Sequence, residues 1–143
     1  MRFREVQRFR QPWVWILVLL VLVHSIVYIG LDHGNWTPTS FIAAGIVLFS
    51  MLRLTVEVDE RELRVRFAPF VNKRIPHSEL KSAEALEYHP LRQYGGWGIR
   101  RGKDGWAYTT SGHEGVRIAT TDGKSLLVGS QRAAELAEAL RKP

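Results

Sequence analysis

Ser111, His113 and Glu114 stand almost side by side and are the residue types of an acyl-transfer site. Such a site needs a base within reach of the nucleophile and a third group orienting the base. Close neighbours on a strand or turn point apart, and no nucleophile elbow surrounds Ser111. His24, His33, His77, His89 and His113 show neither the H-E-x-x-H nor the Cys/His spacing of a metal site. The chain has no Cys, which excludes a thiolate nucleophile, a thiolate metal site and a disulfide framework. No enzyme activity and no cofactor are therefore expected, with an enzyme working on a membrane substrate as the remote alternative.

The segment His89–Arg101 carries a different chemistry. Tyr94 and Trp97 supply large amphipathic surfaces between Arg92, Arg100 and Arg101, and Gly95, Gly96 and Gly98 let the backbone bend there. An aromatic anchor gripping a protein partner is the leading expectation. Recognition of an anionic headgroup by the same arginines is the alternative, with Lys73, Arg74, Arg53, Arg8 and Arg10 as further lipid contacts. A nucleotide cradle is disfavoured, since neither the dinucleotide fingerprint nor the P-loop pattern is present. The competing structural reading is a glycine kink at a barrel corner, with Trp97 plugging the core. Net charge is +6, and residues 53–143 hold 16 basic against 12 acidic side chains. That excess is too diffuse to predict nucleic-acid binding.

Two apolar runs, Trp13–Leu31 and Ser40–Leu54, must carry the rest. The first is about 19 residues long, close to the ~20 a helix needs to span ~30 Å of hydrocarbon. It is too long for a signal-peptide core. Trp13, Trp15 and Trp36 suit interfaces, while Thr37 and Pro38 suit a second helix start. The pattern predicts two transmembrane helices, about 13–31 and 38–54, within residues 12–54. A basic cytoplasmic arm, 1–11, precedes them and a cytoplasmic domain, 55–143, follows. Arg2, Arg4, Arg8 and Arg10 before the spans, and Arg53, Arg61, Arg64 and Arg66 after them, flank a turn without Lys or Arg. The positive-inside rule then places both termini in the cytoplasm and makes the lipid bilayer a partner.

The remaining chain alternates. Leu54, Val56 and Val58 and then Leu63, Val65 and Phe67 predict a hairpin pairing Val58 with Leu63, Val56 with Val65, Leu54 with Phe67, and Glu57 with Arg64. Arg64 and Arg66 read as a solvated strand face with acidic neighbours. Asp122-Gly123 predicts a second hairpin with Ile118 facing Leu127, and Ser130 is placed to cap a helix over Gln131–Lys142 with an Ala133, Leu136, Ala137, Leu140 stripe. The expected fold is a membrane helical hairpin plus a small α+β, mainly-β domain: a bent antiparallel sheet or open barrel of six to eight strands closed by a C-terminal helix.

That element order resembles the bacterial pleckstrin-homology-like domains. The residues Tyr94-Gly95-Gly96-Trp97-Gly98-Ile99-Arg100, Gly115-Val116 and Leu127-Val128-Gly129-Ser130-Gln131 resemble a family of short two-span prokaryotic membrane proteins of unknown function. The resemblance implies architecture and a non-catalytic binding or assembly role at the cytoplasmic membrane surface, and no activity. Lipid-binding relatives in that fold use a basic loop between the first two strands. Here the turn is Asp59-Glu60-Arg61-Glu62, largely acidic.

Overall fold

The structure is a computed structural model that describes residues 2–9, 12–31 and 37–142, without the side chains of 13, 14 and 37–39. It divides into two units, Met1–Arg8 with Arg53–Pro143, and Phe9–Leu52.

In the larger unit, four strands form one antiparallel sheet in the order β1-β2-β3-β4: β1 Phe3–Arg8, β2 Arg53–Val58, β3 Glu62–Ala68 and β4 Val71–Pro76. All four cross-strand pairs expected for β2 and β3 occur, and Leu54, Val56, Val58, Leu63, Val65 and Phe67 make its buried face. Asp59 closes the turn by accepting from the backbone N–H groups of Arg61 (2.8 Å) and Glu62 (3.0 Å). Those two donors hold its carboxyl below the usual range.

The second sheet is only partly built from sequence neighbours. Its strands are β5 Leu80–Glu87, β6 Gly98–Gly102, β7 Gly105–Thr109, β8 Glu114–Thr120 and β9 Ser125–Gly129, in the order β5-β8-β9-β7-β6 with β7 parallel to β9. Ile118 pairs with Leu126, one residue away from the expected Leu127. The cause is the turn. Thr120 N–H bonds Lys124 O, so three residues are looped out and Gly123 takes a positive φ, where a two-residue turn was expected. A short helix, α3 Pro90–Tyr94, precedes β6.

The C-terminal helix, α4 Ala133–Arg141, buries Ala133, Leu136, Ala137 and Leu140 and packs on β5 and β8 of one sheet and β1 and β2 of the other. It starts two residues later than expected. Ser130 does not cap it: its hydroxyl accepts from Arg132 N–H at 3.0 Å and donates to Glu5.

The smaller unit holds α1 Pro12–Gly30 and α2 Thr37–Met51, where the rings of Phe9 and Phe49 lie 5.1 Å apart and most apolar side chains are exposed. Here the membrane expectations fail. Among the described residues no helix is long and apolar enough to cross a membrane. Nineteen and fifteen residues reach only about 28 and 22 Å against ~30 Å. The second run also ends early, because Arg53–Val58 is a strand and Leu54 lies in the core. The two-span hairpin and the cytoplasmic-membrane placement of the termini are therefore corrected. Most of the arginines counted for sidedness are strand-face residues instead. The segment 1–11, expected as a basic cytoplasmic arm, contains β1. The barrel and the pleckstrin-homology-like module are corrected as well: the two sheets are open, and the second has a shuffled order with a parallel pair.

Candidate functional site: an arginine face

The outer face of the first sheet is set by what β1 turns inward. Phe3, Glu5 and Gln7 are buried, so Arg4, Val6 and Arg8 point outward. Glu5 accepts from Ser130 Oγ and from Gln131 N–H (3.0 Å). Gln7 donates to Gly129 O (2.7 Å) and accepts from Thr110 Oγ1 (3.2 Å). Arg132 reaches Arg4 O (2.7 Å) and lies 4.6 Å over the Phe3 ring. Each inward polar group is thus matched, as a buried polar group must be to avoid a cost of a few kcal/mol.

Cross-strand pairing then fixes the rows of the face. One row runs Arg4, Glu57, Arg64, Arg74; the next Val6, Thr55, Arg66, Asn72; the last sets Arg8 opposite Arg53. Ion pairs join Arg4 to Glu57 (3.2 Å), Arg64 to Glu62 (3.0 Å) and Arg74 to Glu62 (4.0 Å). Among the described residues Arg8, Arg53 and Arg66 form no ion pair. Six arginines thus share a face with two glutamates, and the uncompensated charge gathers where Arg8, Arg53 and Arg66 meet. Like charges directly opposite each other destabilise a sheet.

Of the expected lipid contacts, Arg8, Arg53 and Arg74 come together on this face, while Arg10 lies outside the described residues. Lys73, paired with buried Val65, points to the other side of the sheet. Among the interface aromatics Trp15 is exposed on α1, and Trp36 and the side chain of Trp13 lie outside the described residues.

Tyr94 and Trp97 are half-buried and engaged within the fold. Tyr94 packs edge-on to Tyr88 and covers Gly102, where an added Cβ would sit 2.5 Å from its Cε1. Trp97 Nε1 donates to Gly112 O (3.0 Å), and its ring meets His113 edge-on at 6.4 Å. Gly95, Gly96 and Gly98 all take positive φ, so the glycine kink is present. Arg92, Arg100 and Arg101 are exposed, Arg100 Nε donating to Trp97 O (3.2 Å) and Arg101 lying 5.8 Å over Trp106.

Ser111 Oγ accepts from Gln131 Nε2 (3.1 Å), and the structure records no hydrogen bond between Ser111 and His113. Among the described residues no group of three His, Asp or Glu could hold a metal ion. Tyr88, 2% exposed, lies near Thr109 without a hydrogen bond of good geometry, and burial pushes its pKa up to about 12.

Sequence reasoning missed Arg4 and treated Arg66 as ordinary, because the signal for β1 is inverted: Glu5 and Gln7 face in, and Val6, 49% exposed, faces out. No curated protein and no solved structure matches the chain. The model of the family described as Protein of unknown function (DUF3093) matches residues 2–140, nearly the whole chain, and the chain belongs to that family.

Proposed function

We propose that the protein is a non-catalytic binding module that lays the arginine face on an anionic lipid headgroup layer. The observation that carries this reading is the gathering of Arg8, Arg53 and Arg66, without acidic partners among the described residues, beside Arg4, Arg64 and Arg74. A basic side chain near an anionic lipid surface contributes about 1 kcal/mol. A four-stranded sheet face can meet a headgroup layer over several strands at once, whereas a nucleic-acid groove calls for a projecting helix or ribbon. The acidic Asp59–Glu62 turn stands at the opposite end of β2 from Arg53, about 17 Å away at the rise of an antiparallel strand. It therefore does not oppose contact at the Arg8/Arg53 end. Docking of a protein partner through Tyr94 and Trp97 has less support, since both aromatic groups already serve the fold.

The test is flotation of the full chain with neutral and with phosphatidylglycerol-containing vesicles. Anionic lipid should add retention that salt removes, as the screening length falls from ~10 Å at 0.1 M to ~3 Å at 1 M. The triple variant Arg8→Gln, Arg53→Gln, Arg66→Gln should lose about 100-fold of that increment, from three contacts of about 1 kcal/mol. Equal anionic increments for the variant and the unaltered chain would refute the reading.

A further inference from the structure

On the opposite side of β4 from the arginine face, a cleft of about 570 Å³ lies between that strand and the turns of the second sheet. Lys73 comes from β4, Arg101 and Lys103 from β6 and its turn, and Lys124 from the turn between β8 and β9. Three segments distant in sequence thus bring four cations to one concavity. The acid among its lining residues, Asp104, is taken up by Arg117 at 3.6 Å, and its backbone oxygen accepts from Ser125. Lys124 pairs with Asp122 at 3.6 Å, whereas Lys73, Arg101 and Lys103 form no ion pair among the described residues. Trp106, 44% exposed, forms one wall under the Arg101 guanidinium. Gathering like charges in a concave site costs free energy that an anion of matching charge returns, and a cleft focuses that field far more than a flat sheet does.

We infer that this cleft is a binding site for a compact phosphorylated anion, held by Lys73, Lys103 and Lys124, with Arg101 and Trp106 forming its wall. The site is separate from the arginine face. Its ligand chemistry is the phosphate group, whether free or carried on a nucleotide whose base would lie against Trp106.

Titration calorimetry of the full chain with inorganic pyrophosphate and, separately, with a nucleoside diphosphate tests this. Pyrophosphate should bind, and Lys103→Gln with Lys124→Gln should weaken it at least tenfold. Lys73→Gln alone should weaken it less, and the triple arginine variant of the other face should leave it unchanged. If the nucleoside diphosphate binds more tightly and Trp106→Ala removes only that advantage, the phosphate comes on a nucleotide. Equal affinities identify free phosphate. No pyrophosphate binding, or binding indifferent to the lysine substitutions in variants with unchanged thermal unfolding, overturns the site.

Discussion

The helix α4 and the strand β1 both fasten the first sheet to the second, and they do it with opposite chemistry. Four apolar residues of α4 bury one stripe against both sheets. Such contact is non-directional and scales with area. Between Phe3 and Gln7, β1 instead buries a carboxyl and an amide, each matched to named partners at Gly129, Thr110, Ser130 and Gln131. Hydrogen bonds of this kind add little net stability but cost much when half broken. The difference separates strength from register. A one-residue slip of β1 would turn Arg4 and Arg8 into the core and leave Glu5 and Gln7 in water, so the polar contacts decide which way the arginines face.

If that division holds, the largest loss should come from the apolar side. Leu136→Ala empties a fully buried position and should cost about 2–5 kcal/mol in denaturant unfolding. A loss below about 1 kcal/mol would mean that α4 is not the main fastening. Tyr88 sharpens the contrast, being a buried polar group without a well-made partner. Its folded pKa of about 12 lies above the unfolded value near 10, so its contribution is complete below pH 10 and is lost as pH rises toward 12. The decline should reach roughly 3 kcal/mol. Tyr88→Phe should be nearly neutral at pH 7 and should flatten the alkaline decline, read by thermal unfolding across pH.

Next in size is β1 itself. Glu5→Ala strands the Ser130 hydroxyl and the Gln131 N–H and should cost about 1–3 kcal/mol. Its sharper signature is register. Hydrogen-exchange protection at Val6 and Arg8 should fall more than protection at Leu127 or Val128. Uniform loss across both sheets would show that Glu5 acts as general stabilisation and does not set the strand.

How much of this was legible in the chain follows the same division. The β2–β3 hairpin was readable to the residue pair, because Leu54 to Phe67 alternate cleanly and the register follows from a short turn. The α4 stripe was readable for the same reason, at period 3.6. The strand β1 was not, since its inward positions are Glu5 and Gln7 and their partners lie more than a hundred residues away. Long-range pairing also hid the place of the β6–β7 hairpin, which β7 joins to β9 by a parallel contact that no local pattern announces. The length and apolarity of Trp13–Leu31 and Ser40–Leu54 suggested spans, but α2 stops at Met51 and Leu54 belongs to the core. The arginine face was half legible. The sequence singles out Arg8, Arg53 and Arg74, yet only the placement of β1 beside β2 brings Arg8 to the end of the face where Arg53 and Arg66 lie.

The smallest expected effect on stability tests the face most directly. Replacing Arg8, Arg53 and Arg66 by Gln removes no ion pair among the described residues and relieves the Arg8–Arg53 opposition, so unfolding should be unchanged or rise by a few tenths of a kcal/mol. A surface kept for the fold would behave otherwise: its loss would lower the unfolding midpoint and weaken anionic-vesicle binding in parallel. Unchanged or raised stability with lost binding would separate the two roles and place the cost of gathering these arginines on the ligand side of the balance.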